Sequence, residues 1–319
     1  MNDILNIAVN SVREASKICR TIQAQLISED TLTKKDRSPV TIADFASQAI
    51  ICRMLKSEFP NVPIVGEEDA NSLRQNENKA MLEKINSFLP DWDEDEILKN
   101  IDHGNGAATD YFWTLDPIDG TKGFLRGDQY AVALALIKNG KLEGGVLGCP
   151  NLPFEQNSSD GTILYSFKNE GAFVTGIDQD KIVEAHVSKN STSVLTRFLE
   201  SVESGHSNHG LQGQIMESLG DKAKAVRYDS QVKYAVLARG GAEIYLRLPN
   251  PSKPNYREKI WDHAAGAAIV NEAGGRVTDM NGNELDFSLG KQLLNNRGVI
   301  VSNGLVHEDI LKLIKQLNN

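Results

Sequence analysis

In the segment YFWTLDPIDGT an apolar run, from Tyr111 to Leu115, ends in two aspartates, Asp116 and Asp119. The same thing happens twice more. PIVG runs into Glu67 and Glu68, and Asp262 interrupts IWDHAAGAAIV. Burial normally excludes carboxylates from such positions. A fold that tolerates all three must bring distant strand ends and a helix start to one polar crevice. That requirement narrows the possible architectures more than any other feature of the chain.

The chemistry of LDPIDGT follows from its residues. Pro117 fixes its own φ and biases Asp116 towards an extended conformation. Asp116 and Asp119 can then fold around one centre, with the carbonyl of Ile118 between them. Gly120 permits a tight turn, and Thr121 opens the next segment with free backbone N–H groups, a place suited to phosphate oxygens. Two carboxylates and a carbonyl suit a hard cation, Mg²⁺ above all. An Asp-Gly turn with incidental acids is the plain alternative for this stretch on its own. Asp262 alone would read as an acid favouring a helix N-terminus. His263 reads as packed or hydrogen-bonded rather than as a ligand, and Glu68 as either support for its neighbours or a solvated acid.

The periodicities predict two different halves. Leu5, Ala8, Val12, Ala15, Cys19, Ile22 and Leu26 recur at helical steps, with Arg13, Glu14 and Lys17 between them, which gives an amphipathic helix and not a signal peptide. TLTKKDRSPV reads as an exposed loop, followed by a helix N-capped by Thr41 with Asp44 three residues on. A short buried strand ends at GEE. The polar stretch from Asn71 to Asp110 reads as helical insertions, and its acidic part, Asp91 to Asp102, says nothing about function. AVALALI and KLEGGVLGC, joined by Asn139-Gly140, read as a β-hairpin. GTILYSF and GAFVTG read as another. This half, residues 1–183, is α+β.

From 184 to 319 strands and helices alternate: AHVS, a helix near Thr192 to Glu203, KAVRY, a helix from Gln231, EIYLRL, a helix from Ile260, RVTDM, GVIVSN and a terminal helix. That pattern predicts an α/β layer with partly parallel strands. GNGAAT lacks the third glycine and the preceding strand of a dinucleotide fingerprint.

Composition excludes several classes. The 319 residues carry 34 Lys+Arg against 43 Asp+Glu, a formal net charge of -9. An acidic surface repels nucleic acid and anionic membranes, and no apolar run nears the roughly 20 residues of a membrane span. Cys19, Cys52 and Cys149 are scattered, without CxxC, so the expectation is buried thiols in a reducing cytoplasm and no disulfide framework or zinc site. HSNHG contains an HxxH, but no third ligand lies near it in sequence.

Taken together, TIAD at Thr41, VGEE at Val65, DPIDGTKGF at Asp116 and WDHAAG at Trp261 resemble the motifs of the inositol monophosphatase superfamily, in order and in spacing. DSQVKYAVLARG, IYLRLP and EKIWDHAAG look more narrowly like its bisphosphate-nucleotidase branch. NPSKPNY looks slightly longer than that branch usually has. The resemblance implies a layered α-β-α-β-α sandwich, two or three Mg²⁺ ions per site, and a lithium-sensitive phosphomonoesterase acting on the 3'-phosphate of adenosine 3',5'-bisphosphate, with 3'-phosphoadenylyl sulfate as a second substrate. It implies that Glu67, Asp116, Asp119, Asp262 and the Ile118 carbonyl hold the metals. Asp44 and Thr121 would orient and deprotonate the attacking water, and Thr121, His209, Ser230, Lys233, Arg247 and Asp262 would contact the substrate. Inositol mono- or polyphosphates are the alternative substrates, and a non-catalytic nucleotide-binding regulator the remote alternative. The expected partner is a small nucleotide, with no nucleic acid or membrane, bound by a monomer.

Overall fold

A computed structural model describes residues 3–26, 38–191, 196–202, 209–220 and 223–317. Two helices come first, α1 (Asp3–Leu26) and α2 (Ser38–Glu58). Strand β1 (Ile64–Gly66) leads into α3 (Lys79–Phe88) and α4 (Glu94–Asp102). Then follow β2 (Tyr111–Asp119), α5 (Thr121–Arg126), β3 (Ala131–Lys138), β4 (Lys141–Pro153), β5 (Gly161–Phe167), β6 (Gly171–Gly176) and β7 (Val183–Glu184). Strands β1 to β7 form one sheet in sequence order, parallel between β1 and β2 and antiparallel thereafter. Asn139 and Gly140, both at positive φ (52° and 71°), close the β3–β4 hairpin, as a two-residue turn that matches the strand twist requires.

The second sheet contains β8 (Thr196–Glu200), β9 (Ala223–Arg227), β10 (Ile244–Arg247), β11 (Arg276–Thr278) and β12 (Val299–Ser302), in the order β11-β12-β10-β8-β9. Pairs β8–β9 and β10–β8 are parallel. Its helices are α6 (His209–Ser218), α7 (Val232–Ala238), α8 (Ala264–Glu272) and α9 (His307–Leu317).

Alternate side chains of each strand fall into different cores, and this produces the layers. On the first sheet Val132, Leu134, Leu136, Ile163 and Tyr165 pack with α1 and α2, whereas Ala131, Ala133, Ala135 and Leu164 face α7 and α8. On the second sheet Leu199, Tyr245, Val299 and Val301 meet α7 and α8 from the opposite side. Phe198, Ile244, Leu246 and Ile300 meet α6 and α9. The result is the expected α-β-α-β-α sandwich. The glycines of β4 and the small residues of α8 let the two approach closely: a Cβ on Gly145 would lie 2.6 Å from the Ala265 carbonyl oxygen.

Local expectations fared unevenly. α2 begins at Ser38, so Thr41 is not its N-cap and Asp44 lies inside the helix. Pro39 did not stop the helix, because proline is tolerated in a first turn, whose N–H groups have no intrahelical acceptor. The rest of the loop reading, 31–37, lies outside the described residues. The helix expected near Thr192 to Glu203 is wrong over 196–200, which form β8. Phe198 and Leu199, on opposite faces of the strand, each bury in a different core, so pairing with β9 and β10 overrides any helical tendency. AHVS adds no strand. It follows β7 as an extended segment tied by single bonds, Ala185 N–H to the Ala172 carbonyl and Val187 N–H to the Ala273 carbonyl.

Candidate active site

Parallel pairing of β1 with β2 sets Gly66 opposite Leu115, and the Glu67 amide donates to the Leu115 carbonyl. Glu67, the residue after β1, and Asp116, the next along β2, therefore stand side by side at the carboxyl end of the parallel pair. Open parallel sheets place their ligand crevices at such ends. The ladder then shifts. Asp116 pairs with Ala133 but Asp119 pairs with Ala131, so β2 carries one extra residue between them. A bulge of this kind re-aims side chains, and Pro117 needs no ladder bond of its own. Ser47 of α2 donates to the Pro117 carbonyl at 3.0 Å and clips the bulge down. Gly120, at φ 95°, turns the chain into α5. There the loop before α7 comes so close that a Cβ would lie 2.8 Å from Ser230 Cβ.

The far side of the crevice belongs to the second half of the chain. Gln231 holds it together. Its amide N–H donates to Asp119 Oδ2 at 2.6 Å, its side-chain nitrogen to the Trp261 carbonyl at 2.9 Å, and its side-chain oxygen accepts from Gly266 N–H at 3.0 Å. Asp119 on β2 and the turn bearing Asp262 are thus fixed by one residue. Ser230 sits at φ 59°, a conformation that costs a non-glycine residue energy and that gathers at functional sites.

One cavity of about 480 Å³ receives most of the anticipated residues: Glu67, Asp116, Ile118, Asp119, Thr121, Ser230, Lys233, Arg247 and Asp262 all line it. That volume lies in the usual range for small-molecule sites. Asp44, on α2, is not in its lining; burial, then Glu68 and Glu67, raise its own proton affinity, and its charge adds to the raised affinity of Asp116. α2 also packs against α5, which starts at Thr121. His209 opens α6, but its side chain lies outside the described residues, as does His206. A second cavity, about 610 Å³ between β4, β5, α8 and β11, gathers none of these residues.

Crowded buried carboxylates repel each other, and the proton affinities record it. Burial first, then Glu68, push Glu67 up to about 7, with a hydrogen bond to Asp116 working the other way. Burial, then Glu67, Asp119 and Asp262, raise Asp116 far above the ordinary carboxylate range. Asp262 is raised by burial and by Asp119. Asp119 is raised less, because Lys233, the Gln231 amide, His263 and Arg247 offset its burial. Asp116 Oδ1 is buried without a hydrogen-bond partner, an arrangement that costs free energy unless a partner arrives. No group of three or more Asp, Glu, His or Cys side chains among the described residues is gathered tightly enough to hold an ion as it stands. The donor set nevertheless fits a hard divalent cation: oxygen ligands only, a surplus of negative charge, and an unsatisfied carboxylate oxygen.

The cations are more constrained than a sequence can show. Lys233 is buried within α7. Its ammonium donates to the Tyr228 carbonyl at 3.2 Å and lies 5.2 Å from the centre of the Tyr245 ring. Burial pulls it down to about 8, against Asp119. Arg247 donates from Nε to Glu258 at 3.1 Å. Glu258 also contacts His263 Nε2 at 3.3 Å, and His263 Nδ1 meets the Tyr234 hydroxyl at 2.7 Å. His263 is therefore packed and hydrogen-bonded, as anticipated. Burial alone would raise Glu258, but His263 and Arg247 outweigh it and hold the carboxyl down at about 2.

Sequence reasoning passed over Gln231, Glu258, Asp229, Lys253 and Tyr256. Glu258 had a faint signal, an acid two residues before the apolar pair Ile260-Trp261. Gln231 had none, since its importance lies in three partners that are distant in sequence.

A profile described as "Inositol monophosphatase family" matches residues 1–319. The chain belongs to the inositol monophosphatase family. A 3'(2'),5'-bisphosphate nucleotidase of Schizosaccharomyces pombe is 43% identical over 330 residues, which cover 96% of this chain and 93% of the relative. The protein of that name from Dictyostelium discoideum is 42% identical, with 98% and 96% covered. Among solved structures, Thermotoga maritima IMPase superposes with a TM-score of 0.65 at 20% identity, covering 99% of this chain and 98% of that one. CysQ from Bacteroides thetaiotaomicron gives 0.65 at 19% identity, covering 95% and 98%. The two structures establish the fold, a family sandwich with two mixed sheets. No helix among the described residues is long and apolar enough to cross a membrane.

Proposed function

We propose that the chain is a metal-dependent phosphomonoesterase, a 3'(2'),5'-bisphosphate nucleotidase that hydrolyses the 3'-phosphate of adenosine 3',5'-bisphosphate. The observation that carries this reading is the juxtaposition in one cavity of four crowded carboxylates with Lys233 and Arg247. The first group suits cations that neutralise a scissile phosphate. The second suits another phosphate on the same molecule. Full-length relatives at about 40% identity named as bisphosphate nucleotidases support it.

Glu67, Asp116, Asp119, Asp262 and the Ile118 carbonyl would hold the Mg²⁺ ions, two or three of them. When bound, such ions acidify water and stabilise the leaving oxygen of a phosphate ester. The chain's own residues do the rest. Thr121, exposed at the start of α5, and Asp44, on the helix packed against it, orient the attacking water and accept its proton. Ser230 and Lys233, fixed at the α7 end by Gln231, and Arg247 on β10 hold the nucleotide, with His209 assigned to its sugar or phosphate. Water then attacks phosphorus in line, the bond to O3' breaks, and little covalent work remains for the protein. We assign the acids before residue 184 to a metal-bearing subdomain and residues 184–319 to a nucleotide-bearing one, with the substrate across the cleft. The protein is expected to act as a monomer in the cytoplasm.

The test is the product. With adenosine 3',5'-bisphosphate and Mg²⁺, ³¹P NMR should show inorganic phosphate and adenosine 5'-monophosphate. Accumulation of the 3'-monophosphate would reverse the assignment of the two phosphate subsites.

A further inference from the structure

The cavity of about 610 Å³ between β4, β5, α8 and β11 shares no lining residue with the candidate active site. It runs along the C-terminal half of α8, whereas Asp262 precedes that helix's first turn. Its floor is buried and built from small or apolar groups: Gly144, Ala267, Ala268, Val277 and Phe287. One polar side chain stands among them. On β5, Ser166 points to the same side as Leu164, two residues before it, and so towards α8. Its partners across the two ladders are Gly145 and Ala172, which place little bulk beside it. Ser166 is fully buried, and its hydroxyl has no hydrogen-bond partner among the described residues. A buried polar group in that state costs free energy until a partner arrives, and a hydroxyl can serve as donor or acceptor to it.

The rim is charged, but its charges are balanced and mostly committed to each other. Lys141, Lys168 and Arg276 stand against Glu143, Glu272 and Glu284. Lys141 lies 3.5 Å from Glu284, and Arg276 pairs with Glu308 at 2.5 Å. Glu272 accepts from the Asn169 and Gly171 amides, each at 3.1 Å. A charged ligand would have to take one of these partners away, whereas an uncharged one leaves them in place.

We propose that this cavity is a second ligand site, for a compact uncharged aromatic molecule that carries one hydrogen-bonding group. Phenol is its simplest form. The volume lies in the range of small-molecule sites, which pair an apolar lining with a few placed polar groups. Gly144, Ala267 and Ala268 leave a wall without protruding side chains, against which a flat ring can lie, and Phe287 offers it an aromatic neighbour. The ligand's hydroxyl supplies the partner that Ser166 lacks. The site is independent of what the first cavity binds.

The experiment is a ligand-observed NMR titration of phenol, and of toluene as its isostere without a hydrogen-bonding group, against the full chain. Wild type, Ser166→Ala and Ser166→Leu are compared. Phenol should bind wild type saturably, and about twofold to tenfold more tightly than toluene, as one hydrogen bond allows. Ser166→Ala should make the two affinities equal, and Ser166→Leu, which fills the space, should remove both. Saturating adenosine 5'-monophosphate should leave phenol bound. Ser166→Ala deletes only an unpartnered hydroxyl and should fold, so the comparison of phenol with toluene decides the matter even if Ser166→Leu does not fold. No saturable binding of phenol to wild type, equal affinities of wild type for phenol and toluene, or displacement of phenol by the nucleotide overturns the proposal.

Discussion

Removing the Arg247 side chain tests the second phosphate subsite, and the structure shows what else the change does. Arg247 and Glu258 are paired at 3.1 Å with side-chain exposures of 17% and 10%. Arg247→Ala therefore strips two things at once. A substrate phosphate loses a charged hydrogen bond of about 1.5–3 kcal/mol, equivalent to roughly tenfold to a hundredfold in kcat/KM. Glu258 is left with only His263 to balance it, among acids, and breaking such a buried pair costs about 3–5 kcal/mol of stability before any solvation is regained. Because the pair is partly exposed, the lower end of that range is expected. The double variant Arg247→Ala/Glu258→Gln should recover much of the stability and none of the activity. Phosphate release from adenosine 3',5'-bisphosphate and from adenosine 3'-monophosphate, with urea midpoints for each variant, separates the two effects. The loss should fall mainly on the bisphosphate. Equal losses on the two substrates would refute the placement of the 5'-phosphate on Arg247, and activity returning with stability in the double variant would reduce Arg247 to a structural role.

Asp119→Asn removes one of the four carboxylates while keeping shape, so it should lower kcat at least a hundredfold with an unchanged far-UV spectrum, and isothermal titration should show weakened Mg²⁺ binding; unaltered Mg²⁺ affinity would remove Asp119 from the metal site. His307 is buried between Ser302 and Thr278, each hydroxyl 2.9 Å from a ring nitrogen, and burial followed by the Arg276 charge lowers it to about 4 from an ordinary 6.5. A depressed folded value means that the neutral ring stabilises the fold above pH 6.5 and that this contribution is lost as pH falls towards 4. The urea midpoint should drop across that window, and His307→Gln should flatten the drop; an identical pH profile in the variant would show that other groups govern it.

Much of the fold was legible because its hydrophobic patterns are strong and local. The Asn139-Gly140 hairpin and the helical stripe of α1 each needed only neighbours in sequence. The change of pattern separated an α+β half from an α/β half, whereas the layered sandwich was implied by the resemblance of the motifs. β8 was not legible, because TRFLE becomes a strand only through its partners β9 and β10. The acids that line the cavity were legible for the opposite reason. Carboxylates at the ends of apolar runs are costly to bury, so their presence signals use. Lys233 and Arg247 could be named, but not their engagement with Tyr228, Tyr245 and Glu258, which is a property of the packed molecule. Gln231 shows the limit most clearly. It joins Asp119, Trp261 and Gly266 through three hydrogen bonds, and nothing about a glutamine after a serine announces that.

The central claim is that one cavity accepts two phosphates of a single nucleotide, hydrolysing one and holding the other. The most direct measurement is kcat/KM for adenosine 3',5'-bisphosphate against inositol 1-phosphate, each with Mg²⁺ and each repeated in EDTA. A second charged contact worth about 1.5–3 kcal/mol predicts a preference of at least tenfold for the bisphosphate, with both activities abolished in EDTA and restored by Mg²⁺. Equal or better turnover of inositol 1-phosphate would contradict the nucleotide assignment, and activity that survives EDTA would contradict the metal site.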